Sequence, residues 1–158
     1  FTSENNLKNI YTNLNSLTIQ KNRFILLKGI AGEYSPKENI ITYALKSSIG
    51  HELLHLASRS IKNGKEYSGF IFKTKHLVLG IGLTEGYTEL LASRLFNKSK
   101  KTNSYEEEVK IARILEYFFD NPKDMEKYYS VKLINKNKGF FIIDCEKHWL
   151  IAQNKVKL

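Results

Sequence analysis

Apolar residues follow helical and strand spacing in turn along the first half of the chain. Between residues 3 and 17 they recur every three or four positions, which predicts an amphipathic helix. Residues 18 to 34 are dense in Ile, Phe, Leu and Tyr, and residues 40 to 43 form a further apolar run, so both stretches predict strands. A Ser-Pro-Lys-Glu-Asn turn separates them. This turn predicts a hairpin immediately before the next helix.

Helical spacing dominates the second half. Helices are predicted at residues 45 to 59, within 80 to 95, where Thr84 suits the N-terminal boundary, at 104 to 119, and at 124 to 133. Residues 139 to 143 fit either a strand or a helix. The pattern predicts an α+β fold with a small, mostly antiparallel sheet followed by a helical half. Because no repeat, linker or low-complexity segment divides residues 1 to 158, we expect a single domain.

Composition narrows the class of protein. An apolar content of 42% with 26% charged residues is typical of a globular chain, and the one cysteine, Cys145, excludes an internal disulfide framework and a cysteine-based zinc ribbon. The net charge of +9 comes from lysines that are spread along the chain without interleaved aromatic residues, so no nucleic-acid partner is predicted. We expect no membrane span and find no leader pattern in residues 1 to 20. Localisation and oligomeric state remain open.

One pattern points directly to chemistry: His51-Glu52-Leu53-Leu54-His55, an H-E-x-x-H sequence. Two histidines four positions apart on a helix share a face, so their imidazole nitrogens can converge on one ion. Neutral imidazole is a good ligand for Zn²⁺, and the glutamate beside the first histidine points at the water that such an ion would hold. We therefore expect His51 and His55 to bind zinc and Glu52 to act as general base. The alternative is an ordinary amphipathic helix with histidines at its polar edge.

A catalytic zinc site also needs a third protein ligand and an open position for water. Glu85 and Glu89 are again four positions apart and share a face of the next predicted helix. If that face meets His51 and His55, Glu85 can complete the site and Glu89 can hydrogen-bond a ligand histidine. Alternatively, both are solvated carboxylates at a helix start, where the macrodipole favours them. His148 as a fourth ligand would make the site structural, which we do not expect.

The two motifs together resemble the gluzincin branch of the zincin metallopeptidases. In that branch the glutamate of an E-x-x-x-D or N-E-G segment is the third ligand of a single zinc ion. Thr84-Glu85-Gly86 is similar to N-E-G, and Glu89 stands where the family often has Asp. These departures leave open whether Glu85 or Glu89 contacts the metal. The resemblance covers roughly residues 25 to 95 and implies a zincin-like fold.

The resemblance extends to the hairpin that precedes the motif. In zincins the edge strand of such a hairpin lies along the cleft and pairs with extended substrate through its main chain. The resemblance thus implies that Ile30, Ala31 and Gly32 contact substrate, and small side chains would permit that approach. Gly32 can equally mark a β-bulge. Tyr67 and His76 are candidate donors to the oxyanion of a hydrolysed peptide carbonyl, although each can equally be a packing or surface residue.

The hypothesis from the sequence is therefore zinc-dependent hydrolysis of peptide bonds in a peptide or protein substrate. Two alternatives keep the same site. One is a processing protease dedicated to a single partner, and the other is a catalytically silent zincin-like interaction domain. The intact Glu52 argues against the silent domain, because metal binding alone does not require a base at that position.

Overall fold

The computed structural model describes residues 4–62, 65–73, 75–96, 105–119 and 121–130. Over these ranges the chain is α+β, which confirms the predicted class. The helices are α1 (Glu4–Asn15), α2 (Ile49–Ser58), α3 (Ile81–Leu95), α4 (Glu106–Tyr117) and α5 (Pro122–Ser130). The strands are β1 (Thr18–Lys21), β2 (Gly32–Ser35), β3 (Ile40–Tyr43), β4 (Ser60–Lys62), β5 (Lys65–Tyr67), β6 (Phe72–Lys73) and β7 (Val78–Leu79).

The first three strands form one sheet in the order β1, β3, β2. The hairpin of β2 and β3 is antiparallel, as the turn signal predicts, with Glu33 opposite Thr42. Strand β1 runs parallel to β3, so this sheet is mixed rather than mostly antiparallel. The pairs β4–β5 and β6–β7 are antiparallel. Strand β2 lies at an edge of the three-stranded sheet, and this is the edge that faces the helical half.

The prediction of strand throughout residues 18 to 34 is wrong in its middle. Arg23–Lys28 is a 3-10 helix, whose first turn is capped by the Asn22 side chain, which accepts a hydrogen bond from the Phe24 N–H. Gly29 ends it with a φ of 74°, a left-handed conformation that glycine adopts without strain. A short apolar run is compatible with either a strand or a helix. Here the cap at Asn22 and the left-handed conformation of Gly29 favour the 3-10 helix.

Helix α2 is packed between the sheet and α3. It begins at Ile49 rather than at the predicted residue 45, after a short 3-10 turn at Lys46–Ser48, so Leu45 lies outside it and is 43% exposed. Leu56 does face the interior and is 1% exposed. Helix α2 therefore has apolar contacts on its inner side while His51 and Glu52 are buried against its two neighbours.

The main hydrophobic cluster lies among α3, α4, α5 and the loop before β6. Its buried members are Phe70, Tyr87, Leu90, Leu91, Ala112, Met125 and Tyr129. Helix α3 starts at Ile81, so Thr84 is not its cap. The Thr84 hydroxyl instead donates to the Gly80 carbonyl and accepts the Phe70 N–H. A bidentate ion pair of Arg94 with the buried Glu116, at 2.6 and 2.7 Å, joins α3 to α4.

The last described helix begins at Pro122, two residues before the predicted start at 124. Helix α4 finishes at Tyr117, and Pro122 opens α5, where a missing N–H costs no helical hydrogen bond. The predicted element at 139 to 143 and His148 lie outside the described residues. None of the described helices combines the length and apolar character needed to cross a bilayer.

Candidate metal centre

The ring nitrogens of His51 and His55 converge as the helical spacing predicts. Their Nε2 atoms are 2.9 Å apart on the face of α2 that meets α3. Glu85, in the second turn of α3, places Oε2 3.1 Å from Nε2 of His51 and 3.3 Å from Nε2 of His55. Among the described residues these three side chains form the one group of His, Cys, Asp or Glu able to hold a metal ion.

This triangle of ligand atoms fits a divalent cation. Ligands about 2.0–2.1 Å from a tetrahedral zinc ion lie roughly 3.3 Å from one another, close to the separations found here. The chemistry fits as well, because two neutral imidazole nitrogens and a carboxylate oxygen are all acceptors and cannot satisfy each other without a shared cation or proton. Two histidines and one carboxylate also leave a coordination position open to water, as a catalytic site requires.

The pKa values of the site residues show the same preference for positive charge. Burial alone lowers the pKa of His51, but its hydrogen bonds to Glu85 and Glu89 outweigh burial and raise the pKa to about 9. Burial raises the pKa of Glu85, yet the hydrogen bonds from His51 and His55 hold it well below its usual range. The site is therefore built to hold positive charge.

Glu89 lies behind His51 rather than at the triangle. Its Oε2 is 2.9 Å from Nδ1 of His51, so the ring donates from Nδ1 and turns Nε2 towards Glu85. Glu89 is only 6% exposed, and the alternative of two solvated carboxylates is therefore wrong for it. A carboxylate that fixes the tautomer of a histidine in this way is the usual support for a metal ligand. Of the two glutamates, Glu85 is the one beside both Nε2 atoms.

Glu52 is buried next to the triangle without belonging to it. Burial raises the pKa of its carboxyl group, and the charges of His51 and His55 partly offset that effect. The main chain of Tyr34, on β2, lies close enough to this carboxylate to offset a smaller part of the rise in its pKa. A Cβ at Gly32 would overlap the Ser48 hydroxyl and lie 3.1 Å from Oε1 of Glu52. The absence of a side chain at Gly32 thus lets β2 approach the carboxylate.

The register of the hairpin shows which main-chain groups of β2 point towards β3 and which point away from it. The Ala31 carbonyl accepts the N–H groups of Ala44 and Leu45 and the Ser48 hydroxyl, so it is already occupied. By the alternation of an antiparallel ladder, Glu33 also bonds to β3, whereas Gly32 and Tyr34 point their main-chain groups away from it.

Of the three residues implied to contact substrate, Gly32 is the one that belongs to β2 and lies beside Glu52. Ile30 lies before β2, and its N–H donates to the Ile25 carbonyl. Gly32 pairs in regular register opposite Tyr43, so the alternative of a bulge at Gly32 is wrong.

The two candidate oxyanion donors are not part of the metal-capable group. Tyr67 ends β5, and its side chain lies outside what the structure describes. His76 is exposed in the connection between β6 and β7. A different residue, Tyr105, stands at the triangle: its ring stacks on His51 with centroids 5.6 Å apart and planes 13° from parallel.

The electrostatics of Tyr105 also involve the third ligand. Burial together with the Glu85 charge raises the pKa of Tyr105 to about 12. The residue immediately precedes α4, and it is positioned by the close packing of α4 on α3. No local sequence signal marks Tyr105, because its place beside His51 depends on how two helices pack.

Comparison of the chain with protein-family models, curated proteins and solved structures finds no match.

Proposed function

We propose that this chain is a zinc-dependent hydrolase of peptide bonds. The observation that carries the proposal is the convergence of His51, His55 and Glu85 on one point with the buried carboxylate of Glu52 beside it. A structural metal site has no use for a base at that position, whereas hydrolysis requires one. The order of hairpin, H-E-x-x-H helix and glutamate-bearing helix supports assignment to the zincin fold and its gluzincin branch.

Each residue of the site has a separate role in the proposed hydrolysis. His51, His55 and Glu85 would hold zinc, which supplies Lewis acidity that makes water acidic near neutral pH and polarises a carbonyl. Glu52 removes a proton from the attacking water and delivers it to the nitrogen of the leaving amine. Its raised pKa suits this exchange, because a base must also be able to return its proton as an acid. Glu89 keeps the His51 ring in the required tautomer.

Strand β2 is the proposed substrate-binding edge. Main-chain groups of Gly32 and Tyr34 point away from β3 on the side where Glu52 lies. An extended peptide that adds to this edge would lie alongside the base, with affinity supplied by main-chain hydrogen bonds. Such pairing depends little on side chains, so the proposal covers peptides as a class and assigns no cleavage preference.

The test combines metal analysis with cleavage of a mixed peptide library. We expect purified protein to bind one zinc ion per chain, located by anomalous scattering, and to hydrolyse peptides in a chelator-sensitive way. Glu52→Gln should retain zinc and lose about 10²–10⁴-fold in kcat, the contribution of a general base. His51→Ala should lose zinc affinity, which equilibrium dialysis measures.

Glu38→Gln provides a matched control, because Glu38 is an exposed carboxylate in the turn between β2 and β3. It should retain both zinc and activity. Full activity in Glu52→Gln would remove Glu52 from its role. Undiminished zinc binding in His51→Ala would remove the metal site altogether, and with it the proposed hydrolysis.

A further inference from the structure

The 3-10 helix Arg23–Lys28 carries two almost fully exposed apolar side chains, and the proposed hydrolysis uses neither of them. Phe24 is 78% exposed and Leu27 is 85% exposed, and Leu26 beside them is 44% exposed. Residues three positions apart eclipse one another in a 3-10 helix, so Phe24 and Leu27 form one apolar ridge on the surface. A single exposed leucine is ordinary, whereas neighbouring large apolar side chains that project into solvent together indicate an interaction surface.

The local structure holds this ridge in a fixed direction. The Asn22 side chain caps the first turn, and Gly29 ends the helix in a left-handed conformation. Ile25, on another side of the same helix, is buried at 9% exposure, and its carbonyl accepts the Ile30 N–H. The contacts that bury Ile25 therefore turn the ridge outwards. A partner that covers it has little backbone freedom to remove, which favours binding.

The surroundings of the ridge are cationic. Lys21 and Arg23 lie on one side of it along the chain and Lys28 on the other, and all three side chains are exposed. None of the three forms an ion pair with another described residue. Residues 5 to 32 contain four Lys and Arg and no Asp or Glu, in a chain of net charge +9. The fitting partner is therefore apolar at its centre and negatively charged around it.

We propose that the ridge binds the protein to the surface of an anionic lipid bilayer. Phe24 and Leu27 enter the boundary between headgroups and acyl chains, while the three flanking cations contact lipid phosphates and lay their alkyl stems along the apolar layer. Neither part is sufficient alone, because stable attachment to a membrane surface takes an apolar and an electrostatic contribution together. The proposal does not depend on the proposed hydrolysis.

A second copy of the chain fits this surface less well. In a two-fold dimer built on the ridge, the same patch of both copies would meet. Lys21, Arg23 and Lys28 would then face cations of the other copy, and residues 5 to 32 supply no acidic side chain to pair with them. An anionic bilayer supplies negative charge on every side of the ridge.

Flotation of the full chain with lipid vesicles tests the apolar contribution. We expect binding to vesicles made of equal parts phosphatidylglycerol and phosphatidylcholine. Phe24→Ser combined with Leu27→Ser should weaken this binding more than about tenfold, because the apolar area that enters the bilayer is lost. Tyr117→Ser combined with Phe118→Ser is the matched control, since these two residues at the end of α4 are 88% and 78% exposed. This control should bind like the unmodified chain.

Charge replacement tests the electrostatic contribution. Each cation close to an anionic surface contributes about fivefold, so Arg23→Gln combined with Lys28→Gln should weaken binding about 25-fold. Lys37→Gln combined with Lys110→Gln removes the same charge from exposed positions in the turn between β2 and β3 and on α4. That control should weaken binding less than about threefold, since its cations lie away from the ridge. Vesicles of phosphatidylcholine alone should bind the unmodified chain more than about tenfold less tightly than the anionic vesicles.

A fluorescence measurement shows whether the ridge itself enters the bilayer. The indole of Phe24→Trp should shift its emission to shorter wavelength on anionic vesicles and be quenched by lipids brominated on their acyl chains. Phe118→Trp should show no quenching beyond that of the unmodified chain.

Each remaining outcome would overturn the proposal. Binding that survives in the variant with Phe24→Ser and Leu27→Ser would show adsorption by net charge alone, and absence of binding to anionic vesicles would remove the bilayer as partner. A dimer in sedimentation equilibrium that the same variant dissociates, without vesicle binding, would make the ridge an interface between copies. None of these substitutions touches the metal-capable group, so hydrolysis of peptides in solution should be unchanged in all of them. Failure of bilayer binding and failure of the proposed hydrolysis are therefore distinguishable.

Discussion

At the scale of single residues, His51 is the side chain on which the candidate centre depends most. Its Nε2 faces Glu85 and His55, while its Nδ1 is bound by Glu89 and its ring is covered by Tyr105. Both nitrogens and one ring face thus have a defined partner. Such complete fixation is what a metal ligand needs to hold its geometry before the ion arrives.

The support from Glu89 can be tested without altering any of the three ligands. Glu89→Gln keeps the size of the side chain and an acceptor oxygen but removes the charge that polarises the Nδ1–H bond. We expect zinc affinity to fall about 10–100-fold, the usual effect of losing such a partner. Competition with a chromophoric chelator measures the dissociation constant. Glu38→Gln again serves as control, and an affinity for zinc within twofold of the unmodified chain would contradict the role of Glu89.

At the scale of secondary structure, the close packing of α4 on α3 determines that Tyr105 covers the His51 ring. Gly86 faces the main chain of Glu108, and a Cβ there would overlap the Glu108 carbonyl group and lie 2.7 Å from its Cβ. Only a residue without a side chain allows this separation between the helices. Because Tyr105 immediately precedes α4, the same contact carries its ring to His51.

Two glycines one turn apart on α3 form a matched pair for testing this contact. Gly86→Ala should force α4 away from α3 and lower the free energy of unfolding by about 1–3 kcal/mol. Gly82→Ala places its Cβ 3.6 Å from Cγ of Glu108, which is ordinary contact, and should be neutral or stabilise by up to about 1 kcal/mol. Urea unfolding measures both. Equal stability of the two variants would show that the helices do not pack as described.

The elements that sequence could predict are those whose signals are local. Residues four positions apart lie on the same face of a helix, so the pairs His51 and His55 and Glu85 and Glu89 could be predicted without knowing how the helices pack. The turn before Ile40 likewise predicts the hairpin of β2 and β3. Tyr105 has no such signal, since its neighbours come from the packing of α4 on α3. The parallel pairing of β1 with β3 is equally non-local, because it joins strands that no tight turn connects.

At the scale of the whole molecule, the candidate centre lies where the two halves of the α+β fold meet. Helix α2 contacts the sheet on one side and α3 on the other, and the ligands come from both helices. An ion bound there would join the two helices, so its binding free energy would add to folding stability. Without an ion, the raised pKa of His51 favours a proton in its place, which would carry the positive charge between α2 and α3.

That substitution makes the stability of the metal-free protein depend on pH in a defined direction. The pKa of His51 is raised from 6.5 to about 9 on folding, so its contribution is fully present below pH 6.5 and is lost as pH rises through 9. The pKa of Glu85 is lowered, so its contribution is present above about pH 4.5 and is lost as pH falls. The raised pKa of Glu52 acts in the same direction as His51, at lower pH. The metal-free protein should therefore be most stable at mildly acidic pH.

Urea unfolding in the presence of a chelator should show the free energy of unfolding falling between pH 6.5 and 9, by on the order of 3 kcal/mol from His51. His51→Ala removes the titrating group, and its metal-free form should lose this slope while Glu38→Gln retains it. With saturating zinc the added stability should instead grow as pH rises over the same range, because zinc and the proton compete for His51 and the proton is the weaker competitor at high pH. A metal-free protein whose stability is flat or rises from pH 6.5 to 9 would mean that His51 carries no proton between Glu85 and Glu89, and that the three ligands do not converge in solution.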